Sequence, residues 1–147
     1  MLKRKSNNLL NKESEAVVLY DRFSVVAAII IDDKGKILLS LRQKGKMFAD
    51  LWEFPGGKVE KNETEETALC RELKEELAID VAKEDLQFFT CADNDKIHFS
   101  FYLCRKWQGT PAPLESQMIK WADKTELYGL PMPPIDEEIK KRIQSLL

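Results

Sequence analysis

The 147-residue chain contains a single histidine, His98. A metal centre or a catalytic triad built on imidazoles is therefore not expected. The three cysteines, Cys70, Cys91 and Cys104, are odd in number and share no ligand spacing. They read as ordinary thiols of a reducing compartment, and a cytoplasmic location is expected. No apolar run is long enough to span a bilayer. Lys3-Arg4-Lys5 is basic, but the apolar core of a signal peptide does not follow it. An excess of either charge is also missing: 23 basic residues stand against 25 acidic ones, and the net charge is −2. A surface dedicated to nucleic acid is thereby disfavoured, whereas a small anionic ligand could still be met locally by a metal and a few cations. Repeats and low-complexity segments are absent too, and the length suits one domain with a real core.

What is present falls into an ordered series. Residues 1–20 are polar, with four basic residues, and are expected to form a mobile extension. One domain is expected over residues 21–147. Phe23 to Asp32 is a near-continuous Val- and Ile-rich run, the pattern of a strand buried on both faces. Asp33-Lys34-Gly35-Lys36 predicts a hairpin turn, with Ile37 to Leu41 as the returning strand and Arg42 at its end. Trp52-Glu53-Phe54 predicts a short strand stopped by Pro55. Gly56-Gly57 follows as a tight turn. Further strands are expected at Leu86–Thr90, Ile97–Trp107 and Met118–Trp121, and a helical turn at Asp123–Leu127. In the Ile97 strand, Ile97, Phe99, Phe101 and Leu103 alternate with His98, Ser100, Tyr102 and Cys104, predicting a half-polar face. Asp136 is placed to cap a final helix carrying Ile139 and Ile143. Strands on both sides of a central helix imply an α/β (α+β) fold, a mixed sheet sandwiched between helices.

The stretch Gly56 to Ile79 carries the chemistry. Thr64 predicts an N-cap, with Glu65 and Glu66 in the first turn where the helix dipole favours acids. On a helix of 100° per residue, Leu69, Leu73 and Leu77 form one apolar stripe. Glu72, Glu75 and Glu76 fall on an adjacent arc, expected to be exposed. Like charges at that spacing repel. A hard divalent cation such as Mg²⁺ would compensate them. Arg71 sits beside Glu72 and can fix a carboxylate by a charge-assisted bond.

The pattern Gly57, Glu63, Arg71-Glu72-Leu73, Glu75-Glu76, with a small residue and an aliphatic one after it, resembles the Nudix box. One position departs: Ala78 stands where the family usually has Gly, at the helix C-terminus. Trp52-Glu53-Phe54-Pro55 narrows the resemblance to the MutT-like branch. The resemblance implies the Nudix α/β/α sandwich and a metal-dependent hydrolase that cleaves nucleoside triphosphates to monophosphate and pyrophosphate, with Mg²⁺ or Mn²⁺. It implies that Glu72, Glu75 and Glu76 ligate metal or help deprotonate water, that the Gly56 carbonyl is a further metal ligand, and that Arg71 orients. Glu115, in the loop before the Met118 strand, matches another metal-binding and catalytic acid of the branch. Arg42 matches an arginine that meets the phosphates. Glu53, Phe54, Pro55 and Gly56 would wall the nucleotide pocket, and Lys58 could neutralise phosphate. The implied partner is a nucleoside triphosphate, with no nucleic-acid polymer and no membrane, and the protein would act as a monomer or homodimer.

The resemblance further implies that the base is read at Pro133-Pro134-Ile135-Asp136, where the branch carries an Asn and this chain an Asp. An ionised Asp only accepts hydrogen bonds. That favours bases offering N–H donors: 8-oxoguanine first, then cytosine, including 5-substituted dCTP. Other readings are a CTP or dCTP pyrophosphohydrolase, a non-catalytic nucleotide-sensing module, and hydrolysis of ADP-ribose, dinucleoside polyphosphates or capped RNA.

Overall fold

The computed structural model describes residues 22–147. The extension expected over 1–20 lies outside the described residues. In chain order the strands are β1 (Phe23–Ile30), β2 (Ile37–Leu41), β3 (Trp52–Glu53) and β4 (Gly56–Lys58), then helix α1 (Glu65–Leu77). There follow β5 (Leu86–Asp93), β6 (Ile97–Cys104), β7 (Ile119–Ala122), α2 (Lys124–Gly129) and α3 (Pro134–Arg142). Among the described residues no helix is long and apolar enough to cross a membrane.

The chain is a mixed α/β fold, as the pattern implied, but its strands form two sheets. One has the order β4-β1-β6-β5 and the other β3-β2-β7. The first is mixed: β1 runs parallel to β6 and antiparallel to β4. The expected hairpin is corrected here. β1 and β2 meet at a single bridge, Ile31 with Ile37, and β2 then leaves to pair with β3 and β7. The turn itself forms, with the Asp32 carboxylate accepting from the Lys34 and Lys36 amides and Gly35 at φ 80°.

β1 is buried on both faces because each face meets a different helix. Ala27 and Ile29 share a core with Phe101, Leu103, Leu127, Ile139 and Ile143. Val26, Ala28 and Ile30 share another with Leu69, Leu73 and Leu77 of α1. All three leucines of the stripe are fully buried, each contributing about 2 kcal/mol from removal of apolar surface. That packing fixes the rotation of α1 and so decides where its acids project.

The half-polar face expected of β6 is also corrected. Ser100, Tyr102 and Cys104 lie under α1 and are buried. Their polarity is satisfied from the helix N-terminus: Ser100 Oγ and Tyr102 Oη donate to the Glu65 carboxylate at 2.8 and 2.7 Å. Buried hydroxyls require such partners. β6 ends at Cys104 instead of Trp107, and Trp107 stacks on Trp121 at 5.8 Å.

Thr64 caps α1 as expected, its Oγ1 accepting from the Thr67 amide. Ala78 ends it at φ 62°, in the left-handed region, where a Cβ costs about 1 kcal/mol relative to Gly. α3 starts earlier than expected. Its N-cap is Pro133, so Asp136 lies inside the first turn and is not the cap.

Candidate active site

Gly56 and Gly57 do not form the expected turn; they are strand β4. Their lack of side chains serves close approach. A Cβ on Gly56 would stand 1.9 Å from the Val26 carbonyl oxygen of β1. A Cβ on Gly57 would stand 2.4 Å from the Glu72 carboxylate. The second glycine is therefore the cradle in which Glu72 rests.

The acidic arc is not uniformly exposed, which corrects the sequence expectation. The Glu75 side chain is 56% exposed, but that of Glu72 is only 16% exposed. Glu76 is half-buried, and burial, followed by its bond to Glu72 and the charge of that neighbour, pushes its carboxyl far above the usual carboxylate range. The charges of Glu115 and Glu53 act in the same direction. Glu53 is itself raised, by burial above all.

Arg71 organises this arc. Its Nε and Nη2 grip both oxygens of Glu63 at 2.7 and 2.9 Å. Nη1 reaches Glu72 and Glu75, both at 3.2 Å, and Nη2 also reaches the Lys58 carbonyl oxygen at 3.1 Å. The guanidinium holds the Glu63 carboxyl down at about 2. Glu63 is thus a functional partner to which the sequence pattern alone assigned no role. Its signal was its position one helix entry ahead of Arg71.

Beside these groups lies a cleft of about 590 Å³, within the range of small-ligand sites. Glu76, Glu53, Glu115, Gly56, Gly57 and Lys58 stand on one part of its wall. Phe54, Phe99, Ile135 and Asp136 stand on another. Arg42 also lines it, pinned by Glu53 at 2.7 Å and by the Met47 carbonyl oxygen at 2.8 Å. Lys58 lies over the Phe23 ring. Of the expected wall, Pro55 is the exception: it is buried outside the lining, and its carbonyl oxygen accepts from the Ala28 amide. Gln43 and Gln117, both in the lining, had no sequence signal. A larger cavity of about 840 Å³ lies by Asp32, Asp80, Arg105 and Trp107 and contains none of the box acids. Chemistry, not size, selects between the two.

Asp136 is 9% exposed, and its Oδ2 accepts from the Phe54 amide at 3.0 Å. Burial pushes its carboxyl up to about 7 against the lowering effect of that bond. At neutral pH it is therefore not simply the ionised acceptor that the sequence suggested.

Among the described residues, no three acid, His or Cys groups are already closed around a metal position. The donor chemistry nonetheless fits a hard cation. Glu72 and Glu76 are neighbours one turn apart on α1, and the charge of Glu72 helps to raise the Glu76 carboxyl; a hard divalent ion would compensate such a pair.

Residues 21–145 match the NUDIX domain. The chain is 38% identical over 121 residues to an 8-oxo-dGTP diphosphatase of Haemophilus influenzae, covering 81% of this chain and 89% of that relative. It is 35% identical over 123 residues to the CTP pyrophosphohydrolase of Escherichia coli, covering 82% and 91%. A solved MutT structure, from work on the Aliivibrio salmonicida and Vibrio cholerae proteins, superposes with a TM-score of 0.79 at 33% identity, covering 86% of this chain and 99% of that one. The solution structure of the Escherichia coli ORF135 protein gives 0.74 at 34% identity, covering 86% and 91%.

Proposed function

The chain belongs to the NUDIX family, and we propose that it is a metal-dependent, MutT-like nucleoside triphosphate pyrophosphohydrolase with 8-oxo-dGTP as its leading substrate. The observation that carries this reading is the Gly57 cradle. It sets Glu72 against β4 and beside Glu76, which lines a cleft of nucleotide size. The relatives named above as an 8-oxo-dGTP diphosphatase and a CTP pyrophosphohydrolase support the same reaction class.

Nudix hydrolases generally depend on a divalent metal, and Mg²⁺ or Mn²⁺ is proposed here. Glu72, Glu75, Glu76 and Glu115, with the Gly56 carbonyl, would hold it. When bound, it polarises a phosphoryl oxygen and lowers the pKa of a water. The rest is positioning and charge neutralisation, which dominate phosphoryl transfer. A box carboxylate takes the proton of the attacking water. Arg71, bonded to both Glu72 and Glu75, keeps those two oriented. Arg42, pinned by Glu53, meets phosphate from a fixed position, and Lys58 adds a second cation. Phe54 and Asp136 form the base end.

A second reading, cleavage of CTP or 5-substituted dCTP, is supported by the similarity to the CTP pyrophosphohydrolase of Escherichia coli. The ionised form of Asp136 suits the cytosine amino group, whereas its neutral form can donate as well as accept. Work on the free nucleotide pool of the cytoplasm, removing oxidised precursors before DNA synthesis, belongs to the same proposal.

The experiment is product analysis with 8-oxo-dGTP, dGTP, dCTP, 5-methyl-dCTP and dTTP in Mg²⁺, in Mn²⁺ and in excess chelator. The expected products are monophosphate and pyrophosphate, with 8-oxo-dGTP turned over fastest and no turnover in chelator. Inorganic phosphate as the first product, or full activity in chelator, would overturn the reading.

A further inference from the structure

Glu115 sits in the loop between β6 and β7, and an isolated loop acid has no local means of holding its place over a helix. Here hydrogen bonds from both sides supply it. The Leu114 amide and Gln117 Nε2 both donate to the Glu76 carbonyl oxygen at 3.0 Å. The Ala112 amide donates to the Leu77 carbonyl oxygen at 2.9 Å. Glu76 and Leu77 are the last residues of α1, whose terminal carbonyls lack partners within the helix. The loop satisfies them and is docked by doing so.

Gln117 does more than cap. Its Oε1 accepts the Glu115 amide proton at 2.9 Å while its Nε2 holds Glu76. Ser116, at φ 62°, turns the chain so that a side chain two residues on can reach back. An amide side chain offers a donor and an acceptor on separate atoms at one end, so it can hold both partners at once. Across the cleft mouth, Gln43 Nε2 donates to the Glu115 carbonyl oxygen at 2.5 Å. Glu115, Gln117, Gln43 and Glu76 all line the same cleft.

We propose that Gln117 is a positioning residue for the reaction: by bridging the Glu115 amide and the Glu76 carbonyl, it holds the Glu115 carboxylate at the box acids. The inference rests on the reading of this cleft as the hydrolytic site.

The test is a double-mutant cycle of Gln117→Leu and Glu115→Gln, read in kcat, in KM, in Mn²⁺ affinity of the nucleotide-free protein by electron paramagnetic resonance, and in Tm. Gln117→Leu should lower kcat about tenfold to a hundredfold, the scale of a misplaced catalytic group. KM should stay within about threefold. Mn²⁺ binding should weaken about tenfold, as when a partner that orients a metal ligand is lost. In the Glu115→Gln background, Gln117→Leu should change neither kcat nor Mn²⁺ affinity further. Additive losses, or a fall in Tm alone, would overturn the proposal. Should the wild type hydrolyse no nucleotide, the functional reading fails, and the Mn²⁺ cycle still judges Gln117. If Gln117→Leu does not fold, Gln117→Ala, which removes the same bridge, enters the same cycle with the same expectations.

Discussion

The two ends of the cleft are held together over different distances along the chain. At the phosphate end, Arg71 binds Glu63, Glu72 and Glu75, which lie eight, one and four residues away. Helix α1 and the strand just before it bring nearly the whole arrangement. At the base end, the Phe54 amide is bonded to Asp136, 82 residues away. The Trp52 amide is bonded to the Pro131 carbonyl oxygen. That wall is braced from behind by Lys140, whose buried ammonium bonds the Leu127 and Leu130 carbonyl oxygens and the Glu137 carboxylate. The Met132 amide bonds the other Glu137 oxygen. In the proposed reading the box acids on α1 rest on short-range geometry, whereas Glu115, held through Glu76 and Gln43, and the base end rest on long-range packing. The former should resist changes in the rest of the fold that the latter would register.

The largest effect expected is at the phosphate end. Glu76→Gln should lower kcat by about 10²–10⁴-fold, the range for loss of a key charged group at a reacting centre. Tm should hold or rise, because a half-buried acid no longer faces Glu72. A collapse in Tm, or turnover within about threefold of wild type, would make Glu76 a structural residue.

Gly57→Ala comes next. The new Cβ meets the Glu72 carboxylate, and a displacement near 1 Å is worth about 10²-fold in kcat. Base discrimination should be unchanged, since the atoms the new Cβ meets first all belong to Glu72. Equal loss of turnover and selectivity would break the separation between the two ends.

At the base end, Asp136→Ala should lose discrimination, with each charge-assisted bond worth roughly 1.5–3 kcal/mol. The measurement is kcat/KM for 8-oxo-dGTP, dGTP, dCTP and dTTP. Uniform losses would show that Asp136 only braces Phe54. Asp136→Asn tests the same residue through stability. Burial raises its carboxyl from 3.8 to about 7 in the folded protein. Its contribution is therefore complete below about pH 4 and is lost as pH rises through about 7. The Asn variant, which cannot ionise, should gain Tm relative to wild type at pH 8 and gain less at pH 5. An equal change at both values would show that Asp136 does not titrate in this window.

The smallest effect belongs to the exit of α1. Ala78→Gly should stabilise the protein by about 1 kcal/mol, or about 3 °C in Tm, by relieving a left-handed alanine. Turnover should not move, because the Ala78 side chain holds no group at the cleft.

Local spacing alone makes the active helix legible. Leu69, Leu73 and Leu77 fix its buried face, Thr64 its start, and Glu72, Glu75 and Glu76 its acidic arc, because a helix converts sequence separation directly into direction. The Val- and Ile-rich run of β1 likewise announces burial on both faces. Partner choice is not legible in this way. Nothing in Asp33-Lys34-Gly35-Lys36 says that β2 leaves β1 after one bridge for a second sheet, and nothing in Gly56-Gly57 says that the pair forms a strand instead of a turn. The Glu72 carboxylate that requires Gly57, the Glu65 carboxylate that buries Ser100 and Tyr102, and the Phe54 amide that draws Asp136 away from capping all belong to contacts between distant parts of the chain. Such contacts depend on which surfaces meet when both faces of β1 are covered. Helical periodicity determined the acidic arc of α1, whereas the packing of the two sheets and α3 decided how deeply each of its acids is buried and what the far end of the cleft presents.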